Sequence, residues 1–273
     1  MLAAMAPQRT ALVTGATSGI GLEVARELVN RGYRVIGSGR NPERLADDER
    51  LPGVEYVALD LADRDSIHAC TTAIGDVDIV VHNAGESQSG PVEELPDEAV
   101  DRLFQTNVFG PVQLTQRLLP HMRGQGYGRV VTVGSMLASF PLAHRGSYCA
   151  AKAALKGFAL SARQELSPFG VWVSHVEPGS IATGIGTRRT HYIAEGSPYQ
   201  ADYDTMITHL DANEQSGISP ATVAKTIVKA IEADPPREFY AVGSNAPLVF
   251  ALRRLVPRSV VTSLVARRHG LKR

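Results

Sequence analysis

The chain has 273 residues, 44% hydrophobic and 21% charged, with 28 basic against 28 acidic side chains. That length can bury a core without staples, and the balance excludes wholesale disorder and a protein built to coat nucleic acid. Two cysteines without a CxxC exclude a disulfide scaffold and structural zinc, while Met1–Arg9 lacks a signal-peptide core and no apolar run reaches spanning length, so a soluble, cytoplasmic protein without metal is expected.

In chain order, short β-branched runs alternate with helical periods up to about residue 177. Thr10–Thr14 reads as a strand. Gly19–Arg31 reads as a helix, with Ile20, Val24 and Leu28 in one row and Gly32 as its stop. Then come Arg34–Ser38 (strand), Pro42–Asp48 (short helix), Val54–Leu59 (strand), Arg64–Ile74 (helix) and Val77–Val81 (strand). Asp97–Met122 reads as one long helix, Arg129–Gly134 as a strand, Ser147–Leu166 as a helix and Val171–Val176 as a strand. Such alternation with continuously apolar strands means an α/β fold: a doubly wound parallel sheet with helices on both faces and ligands at the carboxyl ends of the strands. No linker or repeat interrupts it, so a single domain over 1–273 is expected. Residues 184–217, with three tyrosines and no clear period, read as a substrate lid. Pro220–Ala233 returns to helix, and Glu238–Val242 suits a last strand.

The first turn reads Thr14-Gly15-Ala16-Thr17-Ser18-Gly19-Ile20-Gly21, after a strand and opening a helix. Missing Cβ atoms there let backbone amides approach a pyrophosphate, which marks a Rossmann-type dinucleotide turn; a tight turn needing glycine only for its angles is the plainer alternative. Tyr148 and Lys152 stand at i and i+4 on one helix face, 13 residues beyond Ser135 at a strand end. A nearby ammonium favours the phenolate of a phenol otherwise titrating near 10, so Tyr148 can exchange a proton with an oxygen that Ser135 holds.

With TGATSGIG (14–21), HNAG (82–85), Asn107, Ser135, YCAAK (148–152) and Glu177-Pro178-Gly179 with Thr183, the sequence resembles the short-chain dehydrogenase/reductase family over roughly residues 10–183. His82 departs from the family's usual Asn or small residue. The resemblance implies hydride transfer between a nicotinamide and a substrate carbon, with Asn107, Ser135, Tyr148 and Lys152 catalytic and Asn107 holding a relay water. It places the cofactor on Gly15, Thr17, Ser18, Gly19, Ile20, Gly21, Asn83, Ala84, Gly85, Tyr148, Lys152, Pro178, Gly179, Ile181 and Thr183, with Asp60 and Leu61 framing the adenine. Pairing through the long helices into a homodimer or homotetramer is also implied.

After the second strand, where NAD(H)-preferring proteins carry an acid, this chain has Gly39 followed by Arg40, able to fork a 2′-phosphate. NADP(H) is therefore expected over NAD(H). Met136, Leu137, Phe140, Leu142, His144 and Tyr192 are the expected substrate wall, suited to an apolar ketone or secondary alcohol of the kind handled by hydroxysteroid and retinol dehydrogenases. The narrower Tyr–Lys spacing disfavours enoyl reduction. The alternative from another class is a non-catalytic NADP-binding regulator or a membrane-surface interaction protein.

Charge is unevenly placed: +7 on the last 33 residues, which lack any acid, against −7 on residues 1–240. Pro257 splits residues 246–268 into two short segments. They read either as helices closing the pocket or as a peripheral docking surface for anionic membrane.

Overall fold

Every residue of β1 (Thr10–Thr14) is buried, as a strand covered on both faces requires. The computed structural model describes residues 8–184, 186–253 and 255–272. After β1 come α1 (Gly19–Asn30), β2 (Arg34–Gly39), β3 (Val54–Ala58), α2 (Arg64–Ile74), β4 (Ile79–His82), β5 (Gln88–Ser89), α3 (Asp97–Phe104), α4 (Gly110–Gly124) and β6 (Gly128–Val133). The rest are α5 (Gly146–Leu166), β7 (Val171–Pro178), β8 (Thr190–His191), α6 (Gln200–Gln215), α7 (Pro220–Glu232), β9 (Phe239–Val242), α8 (Ala246–Leu252) and α9 (Arg258–Arg268).

Seven strands form one parallel sheet in the order β3–β2–β1–β4–β6–β7–β9, while β5 and β8 pair separately. The chain reverses direction across the sheet between β1 and β4, and a crevice opens there at the strands' carboxyl ends. On one face, Val24 and Leu28 of α1 pack with Ile227 and Ile231 of α7. On the other, Ile67 and Cys70 of α2, Leu114 and Met122 of α4, and Ala159 of α5 cover the sheet. Cys70 and Cys149 are buried free thiols.

Three expectations need correction. The helix expected over 97–122 is interrupted by a π-turn at Gln105–Phe109, closed by the Gly110 N–H on the Gln105 carbonyl. Pro111, four residues past Asn107, has no N–H to continue the α ladder. Pro42–Asp48 is not a helix but two 3₁₀ turns, Pro42–Arg44 and Asp47–Glu49. Half of the expected lid loop is α6. Its buried residues, Tyr203, Met206 and Leu210, pack on Leu142 and Leu271; three apolar positions among polar neighbours make a weak period. Residues Met1–Pro7 of the N-terminal stretch and Arg254 and Arg273 of the basic tail lie outside the described residues.

Candidate active site

Between β1 and α1 the chain passes through Gly15 and Gly19 at φ +67° and +58°, where a side chain would be strained. A Cβ on Gly21 would strike the Gly15 carbonyl, so the helix start sits directly against the turn. Ser18 is the N-cap of α1 but makes no side-chain cap; its hydroxyl accepts from Arg188 at 3.1 Å. The first N–H groups of the helix therefore face the crevice without a side-chain acceptor, which fits an anionic diphosphate. Asn83 braces the turn from β4, donating from Nδ2 to the Thr14 and Gly15 carbonyls at 3.0 and 3.3 Å. In return the Thr14 hydroxyl accepts the amides of Asn83 and Ala84, each at 3.0 Å.

Ser135 follows the end of β6 as the N-cap of a 3₁₀ turn, Met136–Ala138, and accepts the Leu137 amide at 3.2 Å. Tyr148 and Lys152, on the first turns of α5, are 8% and 6% exposed. Lys152 Nζ donates to the Val133 carbonyl at 3.0 Å and lies 5.8 Å from the centre of the Tyr148 ring. Burial pushes the Tyr148 phenol up, while the Arg145 guanidinium and the Ser135 hydroxyl bonded to it pull it back. Burial also lowers Lys152 to about 8. At neutral pH the ammonium is still the main form, yet it can release its proton within a physiological range.

Asn107 sits in the π-turn, 1% exposed, and pairs with the Glu86 backbone: Nδ2 donates to the carbonyl at 2.9 Å and Oδ1 accepts the amide at 2.8 Å. A Cβ on Gly85 would lie 2.8 Å from Asn107 Oδ1 and 3.6 Å from Lys152 Nζ. The glycine of HNAG thus lets Asn107 and Lys152 approach the same point.

One cavity of about 570 Å³ joins these features. It is lined by Gly15, Thr17, Ser18, Gly19, Ile20, Arg40, Asp60, Leu61, Asn83, Ala84, Gly85, Ser135, Tyr148, Lys152, Pro178, Gly179, Ile181 and Thr183, with Met136, Leu137 and Phe140 on the substrate side. Gly21 and Asn107 stand behind the wall. Of the expected substrate residues, Leu142, His144 and Tyr192 do not line it. Leu142 packs under α6, and the His144 ring stacks edge-on against Tyr203 and Tyr199. The Tyr192 hydroxyl takes a hydrogen bond from Arg102. Each of these side chains is drawn to a local partner instead of the crevice.

Two further wall residues, Arg145 and Glu214, lie outside the sequence motifs. Arg145 is buried, with its guanidinium 4.3 Å from the Tyr148 ring centre and hydrogen bonds to the Gln88 carbonyl and the Ser87 and Ser89 hydroxyls. Glu214 of α6 reaches the cavity and pairs with buried Arg189 at 2.5 Å; burial raises its carboxyl. Arg145, the N-cap of α5, precedes the helix read from the sequence, and Glu214 was hidden in the unrecognised α6. Glu177 is fully buried and binds Lys156 at 2.8 Å and the Ser139 hydroxyl at 3.2 Å. It thereby fastens the 3₁₀ turn that follows Ser135.

A family model described as short chain dehydrogenase matches residues 9–193. Retinol dehydrogenase 8 of Bos taurus is 32% identical over 269 residues, 91% of this chain and 86% of that one. A short-chain dehydrogenase from Streptomyces avermitilis superposes with a TM-score of 0.81 at 30% identity, covering 98% of this chain and all of that one. A short chain dehydrogenase from Burkholderia cenocepacia, solved in complex with NADP, gives 0.75 at 25% identity over 94% of this chain and 97% of that one.

Proposed function

Because the chain belongs to the short-chain dehydrogenase family of oxidoreductases, we propose that it is an NADP(H)-dependent enzyme interconverting a ketone and a secondary alcohol on a bulky, apolar, steroid- or retinoid-like substrate. The observation carrying this reading is that Ser135, Tyr148 and Lys152 meet in the cavity that also holds the glycine turn.

When bound, the nicotinamide supplies or accepts the hydride. The Ser135 hydroxyl holds the substrate oxygen beside Tyr148, whose phenol gives that oxygen a proton in reduction and takes it back in oxidation. Positive charge from Lys152 and from Arg145, at 5.8 and 4.3 Å, stabilises the phenolate left behind. Lys152 would hydrogen-bond the cofactor ribose, and Asn107, fixed on Glu86, would hold a water relaying protons towards Lys152.

For the cofactor, a Cβ on Gly39 would lie 2.7 Å from the Thr17 methyl. A carboxylate at that position must displace Thr17, while Arg40, exposed and lining the cavity, supports a 2′-phosphate partner. The NADP complex of the Burkholderia relative agrees with this preference. Apolar Met136, Leu137, Phe140, Leu210, Val249 and Val265 supply the substrate wall, in keeping with the name of the bovine relative, retinol dehydrogenase 8. Half-exposed Phe109 and Phe158, at the start of α4 and on α5, suit a homo-oligomer paired through these helices. The reading is of one domain acting in the cytoplasm.

Steroids, retinoids and small ketones should be screened for loss of NADPH absorbance. Turnover of a bulky ketone is expected. NADPH binding without turnover on any of them would replace the enzyme by the non-catalytic regulator.

A further inference from the structure

The two C-terminal helices present different chemistry on their two sides. On the inner side, Phe250 packs edge-on against Phe140 and Phe239, at 5.0 Å each. Val249, Val265 and His269 of the same segment line the cavity. On the outer side, α8 exposes Leu248 (61%) and Leu252 (47%), and α9 exposes Val260 (43%) and Leu264 (57%). Each pair is spaced i, i+4 and so shares one helix face. The turn between the helices adds Leu255 (79%) and Val256 (37%). Six of the ten large hydrophobic side chains left exposed among the described residues thus fall in this one strap.

Exposed Arg258, Arg267 and Lys272 accompany them, with Arg268, which also borders the cavity, and no acid follows Glu238. Among the described residues, no ion pair engages any of these four, although acidic partners are plentiful elsewhere. Exposed apolar pairs on two successive helices, accompanied by cations without an ion-pair partner among the described residues, mark a binding surface rather than a solvated face.

We infer that this strap docks on an anionic lipid surface, with α8 and α9 lying in the plane of the headgroups. No helix among the described residues is long and apolar enough to cross a membrane, so the aliphatic ridge sinks only to the acyl boundary while the basic residues meet lipid phosphates. A second copy of the chain fits less well. A symmetric pair would set one acid-free basic strap against another, and like charges would oppose the contact. The net −7 of residues 1–240 is repelled by the same lipid, which orients the body outward. Since the strap's inner side walls the cavity, docking brings the cavity beside the phase in which an apolar substrate dissolves. That consequence rests on the proposed substrate class; the docking does not.

The full chain is sedimented with phosphatidylcholine vesicles, with or without phosphatidylglycerol, at low salt and at several hundred millimolar salt. Two outward-facing variants are run beside it: Leu252→Gln with Leu255→Gln, and Arg258→Gln with Arg267→Gln. NADPH binding reports their folding and remains unchanged, whether or not the protein turns over a ketone. The expected result is that the parent sediments only with phosphatidylglycerol present and is released by salt, since screening shortens the attraction. Each arginine removed weakens partition about fivefold, and the leucine variant loses binding outright. A parent that stays in the supernatant at low salt overturns the inference. So does a leucine variant that binds as the parent does, because diffuse charge attraction then suffices. Light scattering supplies a third overturning result: a leucine pair that splits a dimer while vesicle binding persists makes the ridge a self-association surface.

Discussion

Truncating Arg40 separates cofactor selection from everything else the crevice does. The side chain is exposed at the end of β2 and lines the cavity, and no ion pair to it is present among the described residues, so Arg40→Ala leaves the fold unchanged. A charged hydrogen bond to a phosphate contributes about 1.5–3 kcal/mol when shielded, but an exposed ion pair is screened to about 1 kcal/mol or less. With Arg40 open to solvent and the phosphate doubly charged, the loss falls near the boundary of those ranges, about 1–1.5 kcal/mol. NADPH affinity then drops about five- to tenfold. NADH lacks the phosphate and binds the variant as it binds the parent. Fluorescence titration of both cofactors, at low and raised salt, reads this directly. The parent's preference for NADPH should also shrink as salt rises, since an exposed charge pair is screened over about 10 Å at 0.1 M. Equal weakening of NADH would make Arg40 a structural residue, and unaltered NADPH affinity would remove it from the site altogether.

Tyr148→Phe keeps NADPH binding but slows turnover by about 10²–10⁴-fold in steady-state assays, and a near-normal rate would sink the proton-transfer role. Lys152→Met abolishes turnover yet stabilises the protein at pH 7. The buried ammonium titrates at about 8 against 10.5 in the unfolded chain, a cost of about 3 kcal/mol below pH 8 that fades as pH rises to 10.5. Thermal melts should show the variant's advantage narrowing across that window, and a pH-independent gap would contradict the linkage. His82, buried against Thr115 at 2.7 Å with its pKa lowered by burial to about 4, must stay neutral in the fold. Stability is therefore lost as pH falls from 6.5 towards 4, by up to about 3 kcal/mol. His82→Asn should flatten the melting temperature over this range, and an unchanged acid slope would place the loss elsewhere.

Much of this arrangement is written locally. β1 and α1 are legible because a buried parallel strand must be continuously apolar and a half-buried helix must repeat its apolar residues every three to four positions, as Val24 and Leu28 do. The glycine turn is legible for the same kind of reason: Gly15 and Gly19 answer a backbone constraint that neighbouring residues impose. The four-residue spacing of Tyr148 and Lys152 needs only helix geometry. What brings Ser135 to Tyr148, and Arg40 and Asp60 to the same crevice, is the strand order, because the adjacency of β1, β4 and β6 is a pairing between distant segments that no local period encodes.

The substrate wall was the least legible part. Leu142 and Tyr192 look like pocket residues by composition, but a side chain faces whichever neighbour satisfies it, and theirs are Met206 and Arg102. Conversely, Glu214 and Val249 line the cavity only because α6 and α8 fold back across the carboxyl ends of the sheet. The sequence alone therefore determined the alternation of elements, the glycine turn and the Tyr148–Lys152 pair, since each depends on residues within a turn or two of one another. The tertiary structure alone decided the cavity's composition and the outward ridge of α8 and α9, because burial is a property of the whole packed chain and is decided by what lies across from each side chain.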